Sequence, residues 1–195
     1  FFQAGVAELT MACCCIGMCL HGGVIPACGT FFVFSDYMKP AVRMAALMKL
    51  PVKFVWTHDA FRVGEDGPTH EPVEQEAQIR LMEKLKTHDG KNSCLVLRPA
   101  DAKETTVAWA MAMDNTDSPT ALILSRQNIT NLPAGNDYEG ARKGGYIVAG
   151  SDENPDVVMV ATGSEVSTLV AGAELLRKDG VKVRIVRDRD RKSVV

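Results

Sequence analysis

PVKFVWTHDAFRVGEDGPTHEP, residues 51 to 72, governs how the rest of the chain is read. Its first six residues form an apolar, β-branched and aromatic run of strand length. The loop that follows holds two histidines, an arginine, a cluster of acids and two prolines, the last of them around a Gly64-Glu65-Asp66-Gly67-Pro68 turn. A plain connector needs turn residues, not such a density of ionisable groups.

Short apolar runs alternate with helical spacing on both sides of this stretch. Residues 6 to 20 are apolar almost all round and stop at His21-Gly22-Gly23, which predicts a buried helix closed by a glycine cap. FFQAG ahead of it reads as the end of a strand, and VIPACG (24–29) as a short strand. Phe34, Met38, Val42, Ala45 and Met48 recur every three or four residues, predicting a helix within 31–50 with Pro40 in its first turns or at a kink. A helix over about 72–86, the strand CLVLRP (94–99), a helix from 101 to about 113 and the strand TALILS (120–125) follow. Asp101 and Glu104 form a capping box for the last of these helices.

This alternation predicts an α/β fold: a mostly parallel sheet with helices on both faces. Such sheets gather ligands at the carboxyl ends of their strands, which places Glu8, the 57–72 loop and Ser125-Arg126-Gln127 on one rim. Residues 128–145, NITNLPAGNDYEGARKGG, have linker composition. VVMVATG, SEVSTLVAGAELLRKDG and VKVRIV then predict the start of a second α/β domain over 146–195.

With 46% apolar residues, 24% charged residues and a net charge of −2, the 195-residue chain has globular composition and no polyanion-binding character. No nucleic-acid or membrane partner is therefore expected. Cys13, Cys14, Cys15 and Cys19 crowd one segment while Cys28 and Cys94 stand alone, a usage that predicts reduced, buried thiols in a cytoplasmic protein, without a zinc site. The longest apolar run, Met11 to Leu20, falls short of the roughly 20 residues of a membrane span. Phe1 opens the chain with no methionine and no signal pattern, so it is expected to begin inside a domain. In the tail RDRDRKSVV, residues 190–195 match an in-frame translation of a sequencing adapter and are expected to be non-native.

Each candidate residue has an ordinary reading beside the chemical one. The GEDGPTH turn (64–70) can be a solvated acidic turn, or it can present His70 opposite His58 in one pocket. Glu8 suits the positive end of a helix, and equally a carboxyl that shares a proton with a heterocycle. Phe31, Phe34 and Tyr37 at intervals of three make a core stripe or a ring platform, and Arg126 a surface ion pair or a phosphate clamp. Ser164, at the ATGSEV turn, reads as a helix cap.

Taken in order, GVAE-x-x-M (5–11), GTFFVFSDY (29–37), THD (57–59), GEDGPTH (64–70), RPAD (98–101), LSRQN (124–128) and ATGSEV (161–166) resemble the transketolases. The likeness covers about residues 1 to 186 and matches the pyrimidine-binding middle domain, lacking its N-terminal part, over 1–127, a linker over 128–145 and the start of the C-terminal domain from 146. It implies a thiamine-diphosphate-binding fold and transfer of a two-carbon ketol unit from a ketose phosphate to an aldose phosphate in the pentose phosphate pathway. It further implies that Glu8 bonds to the ring nitrogen of the cofactor's aminopyrimidine and that Phe31, Phe34 and Tyr37 surround that ring. His58 and Arg126 match phosphate contacts, Asp66 a contact to a sugar hydroxyl, and His70 a catalytic histidine beside the reacting carbons.

Leu9, Ala60-Phe61-Arg62 and Glu71 depart from the family pattern without removing a proposed chemical group. The GDG…N segment, through which the family holds a divalent cation (Mg or Ca) and the diphosphate, does not occur in the chain. The resemblance therefore implies a homodimer with shared active sites, of which this chain supplies one wall, and an isolated chain without turnover. The alternatives are a non-catalytic or split-subunit module and, more distantly, a 1-deoxy-D-xylulose-5-phosphate synthase.

Overall fold

A computed structural model describes residues 1–59, 61–133, 138–150 and 154–188, with Phe61 and Tyr138 by their backbone only. Residues 190–195, and Ala60 of the 60–62 departure, lie outside the described residues. The chain divides into two compact units, Phe1–Leu97 with Ala112–Gln127 and Arg98–Met111 with Asn128–Val195.

The first unit holds a four-stranded sheet of β1 (Ala27–Phe31), β2 (Lys53–Thr57), β3 (Leu95–Leu97) and β4 (Thr120–Ile123) in the order β1-β2-β4-β3. Every pair is parallel, so all four carboxyl ends share one rim. Helices α1 (Glu8–His21), α2 (Ser35–Leu47) and α3 (Gln75–Lys84) flank it. β1 starts three residues later than VIPACG suggests, just after Pro26, which has no N–H to give to a ladder.

Strand β2 is the middle of the core. Phe54 and Trp56 are fully buried, and the Trp56 ring lies 5.7 Å from both Phe32 and Phe54. Its indole N–H points at Met38 Sδ on α2, 3.4 Å away. Lys53 is buried in the same strand and donates to the Asn115 carbonyl at 2.7 Å; burial draws its ammonium below the ordinary lysine value. Pro40 sits in the second turn of α2, which a 3-10 turn at Phe32–Phe34 precedes.

Two expectations fail here for one reason, that apolar composition does not say which side is covered. FFQAG forms no strand: residues 1–5 pair with nothing in the sheet, and Phe1 and Phe2 are exposed. Helix α1 is not buried all round, since only Ala12 and Cys15 are enclosed while Leu9, Met18 and Leu20 face outward. Cys13 and Cys14 go outward with them, whereas Cys15, Cys28 and Cys94 are buried. Burial pushes the Cys94 thiol up to about 12. A thiol reagent at pH 8 is therefore expected to label Cys13 and Cys14 within minutes and Cys94 only on unfolding, as mass spectrometry of labelled peptides can check.

The second unit holds a three-stranded sheet of β5 (Gly145–Ala149), β6 (Val157–Ala161) and β7 (Val183–Asp188) in the order β5-β7-β6. β6 runs parallel to β7 and β5 antiparallel to it. The helices are α4 (Ala102–Asp114), whose last turn belongs to the first unit, α5 (Tyr138–Lys143) and α6 (Glu165–Lys178). The stretch read as a linker thus contains α5 and leads straight into β5.

The capping box forms as predicted: the Glu104 N–H donates to Asp101 Oδ1 at 2.7 Å, and Glu104 Oε2 accepts the Ala100 N–H at 2.8 Å. Ser164 occupies the N-cap position of α6 without a side-chain capping bond. The next residue, Glu165, instead pairs with the buried Arg98 at 2.7 Å. Gly163 makes that turn possible, because its φ is +59° and a Cβ there would stand 2.5 Å from Arg98 Nε.

Candidate functional site

The carboxyl rim of the first sheet collects every candidate residue by a local cause. Phe31 ends β1, Phe34 closes the 3-10 turn, and Tyr37 opens α2, so a spacing of three turns all three rings to one side. Phe31 and Phe34 stack at 6.0 Å and 16°, and Phe34 and Tyr37 at 6.1 Å and 22°. His58 follows β2 with a φ of +62°, an uncommon backbone state for a residue with a side chain, and so lays its ring on Phe31 at 3.5 Å and 20°. His70 meets the same platform edge-on, 5.3 Å from Phe34 and 6.1 Å from Phe31.

Glu8 is the first residue of α1 and half-buried. With Thr30, Phe31, Phe34, Tyr37 and His70 it lines a cavity of about 600 Å³, within the size range of small-ligand sites. Among the described residues Glu8 makes no ion pair, so its carboxylate is available to a ligand in that cavity.

Behind the rings lies a charged cluster. His58 Nε2 and Arg126 Nε each stand 3.7 Å from Asp66 Oδ2. Arg126 Nη2 also donates to Glu65 Oε1 at 2.7 Å, so the surface ion pair, one of the two readings of Arg126, is present. Burial draws the His58 imidazole below its ordinary value; Asp66 pulls the other way, and Arg126 and His70 add to the lowering. His58 is thus neutral at pH 7.

The eight candidates form two linked groups, the cavity with Glu8, Phe31, Phe34, Tyr37 and His70, and the cluster of His58, Asp66 and Arg126. The His58–Phe31 stack joins them. Sequence reasoning overlooked three neighbours. Thr57 Oγ1 meets His58 Nδ1 at 2.9 Å and Thr69 Oγ1 meets His70 Nδ1 at 2.8 Å, a pattern visible beforehand in the repeated Thr-His dipeptide. Each hydroxyl fixes one ring nitrogen and leaves Nε2 to other partners. Glu65, the third, is 61 positions from Arg126, and no local pattern pairs them.

An aromatic cavity with one free carboxylate, at the carboxyl rim of a parallel sheet and beside the Arg126 guanidinium, defines an α/β domain with a ring-lined site at its strand ends. Residues 1–131 match the profile described as "Transketolase, pyrimidine binding domain", and residues 144–187 that of the "Transketolase-like TK C-terminal domain". The chain belongs to the transketolase family. It is similar to the transketolase of Halalkalibacterium halodurans, 48% identical over 184 residues that make up 93% of this chain and 26% of the relative. The crystal structure of the Pichia stipitis transketolase complex with sedoheptulose-7-phosphate superposes with a TM-score of 0.83 at 38% identity, covering 96% of this chain and 26% of that one. A structure described as a split gene transketolase, inactive beta4 tetramer, superposes at 0.73 and 27% identity, covering 97% of this chain and 57% of that one. The chain spans about a quarter of the length of the first two relatives. No helix among the described residues is long and apolar enough to cross a membrane.

Proposed function

We propose that this chain is the pyrimidine-side wall of a thiamine-diphosphate-dependent ketol transferase, acting on a ketose phosphate as donor and an aldose phosphate as acceptor in the pentose phosphate pathway. The observation that carries the reading is the single cavity lined by Glu8, the three aromatic rings and His70, with the His58–Asp66–Arg126 cluster next to it. One carboxylate and a run of aromatic faces fit an aminopyrimidine ring. When bound, thiamine diphosphate supplies the carbanion chemistry, and the protein orients and tunes it.

Within that reading the aromatic rings hold and orient the pyrimidine and shut water from its faces. Glu8 holds a proton between its carboxylate and a ring nitrogen. His70 Nε2, left over once Thr69 engages Nδ1, exchanges a proton with the substrate oxygen at the reacting carbons. His58 and Arg126 receive the phosphate, and Asp66 between them accepts from a sugar hydroxyl. The diphosphate and a divalent cation are held by residues outside these 195, and a second copy completes the site in a cytoplasmic homodimer.

The test replaces the matching quarter of full-length Geobacillus stearothermophilus transketolase, 48% identical over 185 residues, with residues 1–186 of this chain. The chimera is expected to transfer ketol units. His58→Ala in it is expected to raise KM for phosphorylated sugars about tenfold with kcat little changed, as for loss of a contact made equally in ground and transition states. An unchanged KM with a collapsed kcat contradicts the assignment.

A second reading is favoured by one comparison, the match to the inactive tetramer from a split gene. On it, the chain is a non-catalytic subunit that gains activity only with a separate partner carrying the diphosphate site. A chimera that folds and binds cofactor but turns nothing over favours this reading.

A further inference from the structure

Arg126 already holds an anion, and that anion belongs to the chain. Glu65 Oε1 lies 2.7 Å from Arg126 Nη2, while the adjacent Asp66 stands 3.7 Å from Arg126 Nε and from His58 Nε2. The two acids are held very differently. Asp66 faces the His58 imidazole and the Arg126 guanidinium with its side chain 32% exposed; Glu65 is 80% exposed and pairs with Arg126 alone among the described residues.

We propose that Glu65 is a resident counter-ion of the phosphate site, occupying the Arg126 guanidinium until a phosphorylated ligand displaces it, and thereby setting how tightly the site holds phosphate. The inference rests on the reading that His58 and Arg126 receive the phosphate group.

A guanidinium offers a planar fork of N–H donors that fits carboxylate and phosphate oxygens alike, so the two compete for one set of donors. Glu65 satisfies the fork with a single charge at high exposure, and an exposed pair of that kind shifts an equilibrium by only about two- to fivefold. A phosphate dianion brings about twice the charge and more acceptor oxygens, and it can engage His58 at the same time. It therefore wins the exchange while losing part of its affinity to it.

The backbone delivers the acid to this place. Gly64 (φ +76°) and Gly67 (φ +73°) bracket Glu65-Asp66, and both adopt torsions that side-chain-bearing residues rarely take. Gly64 also lies against the guanidinium: a Cβ there would stand 3.8 Å from Arg126 Nη1. The turn thus sets one acid between the imidazole and the guanidinium and the other on the arginine from the solvent side. The second position is the one an incoming phosphate needs. Displacement breaks no packing, because the Glu65 side chain swings into water.

The experiment titrates inorganic phosphate into the isotope-labelled chain at pH 8 and follows the Arg126 Nε–H and His58 ring resonances. Glu65→Gln and Glu65→Ala are expected to bind phosphate about two- to fivefold more tightly than the unmodified chain. Glu71→Gln, which removes a charge from the same loop without an ion pair to Arg126, is expected to leave affinity unchanged, and Arg126→Ala to abolish binding. Equal tightening by Glu71→Gln and Glu65→Gln shows a general charge effect and overturns the counter-ion role. No tightening by either Glu65 variant, with binding lost in Arg126→Ala, also overturns it and leaves the phosphate reading intact. Phosphate binding by Arg126→Ala as strong as in the unmodified chain defeats that reading and the inference with it.

Discussion

Glu8→Gln, placed in the full-length chimera, is expected to lower kcat about a thousandfold, the middle of the range for losing a positioned proton-transfer group. The substitution keeps size and shape and replaces the carboxylate by an amide that cannot share a proton with a ring nitrogen in the same sense. Structure should barely notice it. Glu8 is half-buried at the first position of α1 and makes no ion pair among the described residues. The stability lost is thus the attraction between an acid and a helix start, about 0.3–1 kcal/mol. Activity and folding therefore separate: a melting curve within a few degrees of the parent, beside a collapsed kcat, is the expected pair. Turnover within a few-fold of the parent contradicts the proton-sharing role. A large drop in melting temperature makes Glu8 a structural residue instead.

The parts of the fold legible in the sequence are those where one local pattern had a single structural meaning. β4 is buried throughout and β2 is buried or half-buried along its length, so FVW and ALI are apolar runs with little room for another reading. The 3-10 turn and the first turn of α2 inherit the three-residue spacing of Phe31, Phe34 and Tyr37, which is why the ring platform could be anticipated. β5 was invisible for the opposite reason: Gly145-Tyr146-Ile147-Val148-Ala149 follows a glycine-rich stretch, and its partner β7 begins more than thirty residues later, so its strand character is tertiary. The same limit applied to the site. The rings and histidines showed themselves by type and spacing, whereas the Arg126–Glu65 pair and the shared Asp66 exist only once the loop has folded onto β4's end.

Glu104→Ala is expected to destabilise the second unit by about 3–5 kcal/mol, the loss associated with stranding one partner of a buried ion pair. Glu104 is 4% exposed and carries three partners: the Ala100 N–H on Oε2 at 2.8 Å, the Tyr146 hydroxyl on Oε1 at 2.7 Å, and Arg187 Nε on Oε2 at 3.0 Å. Alanine leaves the Ala100 N–H and the Tyr146 hydroxyl without that acceptor and takes away the carboxylate beside Arg187 Nε. Arg187 cannot turn to water for relief, since its side chain is 4% exposed and its other nitrogens already donate to the Gly144 and Arg98 carbonyls. Tyr146 is bound in as well; burial, and then the Glu104 carboxylate, raise its hydroxyl above the ordinary tyrosine value, so it is a neutral donor near neutral pH. Hydrogen exchange is the measurement that localises the effect: amides of β5, β6 and β7 should lose protection while those of β2 and β4 keep it. The double variant Glu104→Ala/Arg187→Met then separates charge from packing. If the penalty is the guanidinium's loss of this carboxylate, removing the guanidinium restores more than half of the lost stability; if the double variant is as unstable as the single one, the carboxylate acts chiefly through Ala100 and Tyr146, as the cap of α4 and the anchor of β5.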